Sequence, residues 1–427
     1  MKRMIACLLG LALVLTLVCP AFALTKGDEL KLAVLGDSIS YGTGLNDRLV
    51  SRYSTLVADH FGVTTWLNAA WDGNECWNVI NSITNTKNKS SLEAANCFAI
   101  SVGSNDYVEY LADYIFEISE PASVPGTEAE NDFIIGDKYK DLTDFFQDVL
   151  IAPESDMRNG ILKFLESEEP IRANWEEDFC GKLQINLETI IKDLQTCNET
   201  APILLLNYYN PGDTYMNFAS KASTLLNAAN RNINEAIELI QRARSANPVQ
   251  QMALLPMIQT KLVKLTADIY LFVPLLKEFD LNLTMLSPLL ALAGVGFVGV
   301  EAFAQDKTIL YKLEEIVKLV TALDQLLQFT DDTMVQMNEM LNELAGAHPN
   351  VIIIDVSNLG KSAENISPND HFHPSEQGHQ IIANKMIQAL ETIYAGGAVT
   401  PSPTAEGISY LIASIALIRW WTAKVFS

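Results

Sequence analysis

The chain has 427 residues, 49% of them hydrophobic and 19% charged, which is enough apolar side chain for a full core and enough length for more than one domain. Its formal net charge of -23 leaves no basic stripe to neutralise phosphates. That argues against a nucleic-acid partner and for weak attraction to anionic membrane surfaces.

The first 23 residues read as a secretory signal. Lys2 and Arg3 form a positive start, Ile5 to Val18 an apolar stretch, and Ala21-Phe22-Ala23 a small-residue cleavage site. Cleavage would leave Cys76, Cys97, Cys180 and Cys197. In an exported protein these are either free thiols or two disulfides in one of three pairings, pairing in sequence order being the simplest. A first apolar run, Lys31–Leu35, is expected to be a buried strand leading into Gly36-Asp37-Ser38. Arg48–His60 has helical spacing and stops before Gly62. Further strands are expected at Thr64–Asn68, Cys97–Val102, Ile203–Asn207 and Val351–Asp355, with helices at Leu187–Leu194 and from Ser375 to Tyr394. Near-continuous apolar strands alternating with helices predict a parallel sheet covered on both faces, a three-layer α/β/α sandwich with ligands held beyond the C-terminal strand ends.

Two stretches are too long for loops. Residues 107–200 are acidic and helical in pattern. Residues 212–345 form a large helical insertion, in which Leu310, Leu313, Val317, Val320, Leu323 and Leu327 share one face. Inside it, Leu283 to Val300 is uncharged but holds Pro288, Gly294, Gly296 and Gly299, so a buried or lid-like hairpin is expected rather than a membrane span. Residues 397–406 read as a Pro/Ser/Thr linker and 407–427 as an apolar tail, either a membrane tether or a docked amphipathic segment.

The chemistry concentrates at strand ends. Ser38 follows the first strand in a turn whose free amides suit an anion. Gly73 follows the second and Asn105 the third; a glycine amide and an amide side chain there can donate to a developing oxyanion. Each also has a plain reading as a turn residue. Asp370-His371-Phe372-His373-Pro374 carries two of the chain's five histidines. The spacing lets Asp370 orient His373, which would serve as a base toward Ser38. The competing reading is a metal site made of Asp370, His371, His373 and His379. Trp71 and Trp77 flank Gly73 and are expected to pack in the core, with an acyl pocket or a sugar platform as alternatives. Glycosylation sequons start at Asn88, Asn198 and Asn282.

In order and position these blocks resemble those of the SGNH (GDSL-type) hydrolases: Gly36-Asp37-Ser38, Asn68 through Gly73, Gly103-Ser104-Asn105-Asp106, and Asp370 through Pro374. Asn207-Tyr208-Tyr209-Asn210-Pro211 is similar to the fourth-strand segment of secreted esterases in that family. The resemblance covers 24–211 and 340–396 and implies a flavodoxin-like sandwich. It further implies Ser38 as nucleophile, Asp370 and His373 as its partners, and an oxyanion hole made by the Ser38 amide, the Gly73 amide and the Asn105 side chain. No metal or cofactor is required. The expectation is a secreted, possibly surface-tethered esterase acting on lipid or other acyl esters, with a contact between its tail and a membrane. The alternatives are a carbohydrate O-acetylesterase, or a surface-tethered interaction protein with vestigial catalysis. The 212–345 insertion exceeds what the family core needs.

Overall fold

The computed structural model describes residues 24, 28–116, 175–278, 307–370 and 372–396. The expectations for the signal segment, the sequon at Asn282, the apolar run 283–300, His371, the linker and the tail lie outside these residues.

Five parallel strands form one sheet: β1 (Leu32–Gly36), β2 (Leu67–Asn68), β3 (Cys97–Ser101), β4 (Ile203–Leu206) and β5 (Val351–Ile354). Their order is β2-β1-β3-β4-β5, the doubly wound, flavodoxin-like order expected from the sequence. Strand alternation supplies two cores. Ala33, Leu35, Phe98, Ile100, Ile203 and Leu205 point to one face, and Leu32, Val34, Ala99, Leu204, Ile352 and Ile354 to the other.

Helices Cys76–Thr84, Gly181–Cys197 and the second half of Lys307–Ala347 cover the first face through Val79, Leu187, Ile191, Phe329, Met337 and Leu341. Helices Tyr53–His60 and Glu376–Tyr394 cover the second through Val57, Ile382, Met386 and Leu390. Each fully buried Leu, Ile or Phe contributes about 1.5–3 kcal/mol, so both faces are strongly fixed. Ser375 caps the last helix by accepting from the Gly378 amide at 3.2 Å.

The expected insertion contains two long helices, Asp213–Ser245 and Pro248–Glu278, which pack on each other through Leu239, Ile240 and Ile258. The helix Lys307–Ala347 runs across the expected boundary at residue 345. Its outer part buries Val317, Val320 and Leu323, while its inner part, from Phe329 on, belongs to the sheet's own first layer. A parallel crossover from β4 to β5 needs such a covering helix.

Three local expectations change. The helix expected over Arg48–His60 breaks at Arg52, whose backbone is extended (φ -67, ψ 146). The break frees the Tyr53 amide to donate to His379 Nδ1 at 3.2 Å, and Leu49 O accepts from Thr55 Oγ1 instead. The second strand shortens to Leu67–Asn68, although Ala69 and Trp71 continue its pairing by donating to Val34 O and Gly36 O. No disulfide joins any two of the four cysteines. Cys76 and Cys97 lie in cores on opposite faces of the sheet, and Cys180 and Cys197 bracket a 17-residue helix about 25 Å long, so pairing in sequence order is ruled out.

β1 meets β3 most closely at Gly36. Its φ is +128, and a Cβ there would lie 1.9 Å from Ser101 O. Gly36→Ala is therefore expected to destabilise the protein by about 3 kcal/mol or more, read as a lowered midpoint in urea unfolding.

Candidate active site

The sheet order reverses between β1 and β3, and the crevice beyond their C-terminal ends is where a doubly wound sheet holds ligands. Ser38 stands there. It opens a four-residue helical turn, Ser38–Tyr41, capped by Asp37, whose Oδ1 accepts from the Ile39 amide at 3.0 Å. Gly42, with φ +95, closes that turn in the left-handed region and donates to Ser38 O.

The loops after the first three strands are tied together. Asn74 Nδ2 donates to Gly36 O at 2.9 Å, and Asn105 Nδ2 donates to Asn74 O at 2.9 Å. The second Nδ2 hydrogen of Asn105 makes no bond among the described residues. The same holds for the amides of Ser38 and Gly73. Gly73 has φ +74 and open space where a Cβ would be. These three donors sit on adjoining loops at one end of the sheet.

Asp370 and His373 come to this site on the loop before the last helix. Asp370 Oδ2 accepts from His373 Nδ1 at 2.9 Å, while its Oδ1 accepts from the amides of Phe372 and His373 at 2.9 Å each. Burial alone would raise the Asp370 carboxyl. The His373 bond and charge and the two amides outweigh burial and hold it below the ordinary carboxylate value. Both side chains are about nine-tenths enclosed, at 7% and 10% exposure.

This loop is clamped to the turn that carries Ser38. Ser367 Oγ donates to Gly44 O at 2.7 Å and Asn369 Nδ2 donates to the same oxygen at 3.1 Å. A Cβ on Gly44 (φ +84) would meet Asp370 Oδ2 at 2.8 Å and His373 Cβ at 3.0 Å. From β4, Tyr209 Oη donates to Phe372 O at 2.9 Å. The structure thus joins Asp370 to His373 directly and joins both to the Ser38 turn by backbone. Among the described residues Ser38 Oγ makes no hydrogen bond with His373, a contact that apo sites often leave long.

His379 is neighbour to His373 but is bonded to neither His373 nor Asp370 among the described residues. It is fully buried, its ring stacks on Tyr53 at 6.0 Å, and its Nδ1 accepts from the Tyr53 amide. It packs the second core, and no group of three His, Cys, Asp or Glu side chains among the described residues is arranged to hold a metal ion. The tryptophans also depart from expectation. Trp71 is 64% exposed and leans on Tyr41 at 5.3 Å, with the Arg48 guanidinium 3.9 Å over the other ring. Trp77 is 40% exposed and donates to Glu75 Oε2. Burial and the neighbouring Glu109 and Asp106 push Glu75 up to about 8.

Of the clamp residues, the sequence marks only Tyr209, within the Asn207–Pro211 segment and without this role, and gives no sign of a clamp at Gly44, Ser367 or Asn369. Ser367-Pro368-Asn369 carries a turn signal, but nothing in it names Gly44 as partner. Ser101, which joins Asp37, also lacks any sequence signal.

No protein-family model and no curated protein sequence matches this chain. Among solved structures, the lipase Lip_vut3 from a goat rumen metagenome is similar at 14% identity, covering 84% of this chain and 97% of that one, with a TM-score of 0.38. Phospholipase A1 from Streptomyces albidoflavus NA297 is similar at 11% identity, over 85% and 99%, also at 0.38.

His379 has a measurable consequence. Burial pushes it down to about 3, so between pH about 6.5 and 3 the unfolded chain binds a proton that the folded chain refuses. Stability is therefore lost as pH falls through about 6.5, at up to about 1.4 kcal/mol per pH unit from this group. Asp37, which burial raises to about 6, acts in the opposite sense between pH about 4 and 6. The difference between variants isolates His379: His379→Gln is expected to lose less unfolding free energy than the wild type between pH 7 and pH 4.5, by about 2–3 kcal/mol in urea titrations.

Proposed function

We propose that this chain is a serine ester hydrolase of the SGNH type, secreted, and acting on lipid or other acyl esters. The observation that carries the reading is the Asp370–His373 pair, buried and clamped through Gly44 to the turn that opens with Ser38. Ser38 Oγ attacks the ester carbonyl carbon and its proton passes to His373 Nε2. Asp370 accepts from Nδ1 and stabilises the imidazolium that forms. The negative oxygen of the tetrahedral intermediate takes hydrogen bonds from the Ser38 amide, the Gly73 amide and Asn105 Nδ2. Collapse breaks the ester bond, and His373 returns the proton to the departing alcohol. A water then repeats the sequence on the acyl-enzyme, releasing the acid and free Ser38.

An acyl substrate is favoured by exposed apolar side chains on segments next to the Ser38 turn. Trp71, Leu49 and Val50 are 64%, 63% and 59% exposed, and Trp71 leans on Tyr41, the last residue of that turn.

The test is hydrolysis of p-nitrophenyl esters of graded chain length. Wild type is expected to turn them over with preference for medium chains. Ser38→Ala is expected to abolish turnover. Asn105→Ala is expected to lower kcat about a hundredfold with KM changed little. Wild-type turnover no greater than that of Ser38→Ala for every ester would sink the proposal, and a preference for acetyl over octanoyl would move it to the carbohydrate O-acetylesterase.

A further inference from the structure

Asp37 precedes Ser38 and does more than a helix cap requires. It is 0% exposed. Its Oδ1 accepts from the Ile39 amide at 3.0 Å and from Ser101 Oγ at 2.6 Å. Its Oδ2 is enclosed and has no hydrogen-bond partner among the described residues. Ser101 Oγ is itself held: Ser40 Oγ lies 2.7 Å from it and 2.6 Å from Tyr53 Oη, and the Ser40 amide donates to Ser101 Oγ at 3.2 Å. A carboxyl fixed at one oxygen and bare at the other, inside the strand-end turn, has no use as a cap alone, because capping engages only Oδ1.

The groups within range of its charge are few. His373 on the clamped loop favours the ionised form and Asp106, on the helix after β3, opposes it. Tyr53, Tyr208, Tyr209 and Cys76 also lie within range, and burial and the surrounding acids keep all four neutral. His373 in turn is flanked by Asp370 and by His379, which burial keeps neutral. When His373 takes the serine proton, the new positive charge lies against Asp370 at 2.9 Å and within electrostatic reach of Asp37, among largely enclosed groups where charges act strongly.

We propose that Asp37 is a positioning residue for this chemistry: its buried carboxylate, held by Ser101 and Ile39, supplies a second negative charge that stabilises the His373 imidazolium as Ser38 attacks. The inference rests on the serine-hydrolase reading and adds a group to it. Burial raises Asp37 to about 6, so the charge is present at neutral pH and is lost as pH falls through about 6.

The test uses a fluorophosphonate probe, which needs no knowledge of the natural ester. Labelling forms an Ser38 Oγ–P bond, expels fluoride and passes the serine proton to His373. Wild type is expected to label and Ser38→Ala is not. Asp37→Asn keeps an oxygen for Ile39 and Ser101 while removing the charge. It is expected to fold with wild-type circular dichroism, to label about tenfold more slowly, and to half-saturate at an unchanged probe concentration. As pH falls through about 6 the wild-type rate should fall more steeply than that of Asp37→Asn, which lacks the carboxylate that takes up a proton there. A purely structural cap would leave the slope alone. Equal rates and equal slopes in the two proteins overturn the proposal while leaving the serine reading intact. An unlabelled wild type overturns both. Should Asp37→Asn not fold, Ser101→Ala serves: losing the hydroxyl that donates to Oδ1 is expected to move the acid limb to higher pH, and an unmoved limb overturns the proposal.

Discussion

The site depends on the close approach of β1 to β3 at Gly36. The backbone of Gly36 lies against Ser101, and the next amide, that of Asp37, donates to Ser101 O at 2.9 Å. This bond turns the chain out of the sheet at the topological switch point and leaves Ser38 at the head of a short helical turn. The same contact brings Ser101 Oγ to Asp37. The candidate nucleophile Ser38, its cap and the buried carboxylate are thus one construction, set by two strands that can pack so closely only because residue 36 lacks a Cβ.

The rest of the site is brought to this fixed point by loops, and polar side chains bonded to backbone hold the loops. Asn74 and Asn105 link the loops after β2 and β3 to Gly36 O and to each other. Ser367 and Asn369 attach the Asp370–His373 loop to Gly44 O, and Tyr209 attaches it to β4. Asn207 performs the same task between β4 and β5, donating to Asp355 Oδ1 and accepting from the Val356 amide. A catalytic geometry must hold to within fractions of an ångström. Such ties let loops meet that demand while the apolar layers beneath them carry the stability.

This division explains what the sequence discloses. Four of the five strands are legible because both faces are buried, so each reads as a near-continuous apolar run, whereas the half-exposed β2 does not. Ser38 and Asn105 are legible because each follows such a run closely. The break at Arg52 is not legible, since the apolar spacing of Leu49, Tyr53, Leu56 and Val57 continues across it. What breaks the helix is His379, more than three hundred residues away, accepting the Tyr53 amide. The Gly44 clamp is hidden for the same reason, because Ser367 and Asn369 find it only in space. Trp71 was misjudged because size and hydrophobicity suggest burial, whereas its segment runs along the edge strand and leaves the ring outside.

The polar defects of the molecule carry a further lesson. Leaving a buried polar atom unpaired costs about 1–3 kcal/mol, and natural folds keep few of them. Among the described residues Asp37 Oδ2 and His379 Nε2 are both unpaired, and the two side chains are linked through Ser101, Ser40 and Tyr53. The layers on either side contain ample apolar replacement in kind: Leu, Ile, Val and Met occupy the neighbouring core positions. A fold selected for stability alone would gain by an uncharged residue at 37, since a neutral group able to cap the turn would keep the Ile39 bond and remove a desolvated charge. The carboxylate is held there by three hydroxyls in series, Ser101, Ser40 and Tyr53, which anchor one oxygen and leave the other bare. A desolvated carboxylate kept next to the candidate nucleophile Ser38 is the pattern expected where stability yields to chemistry.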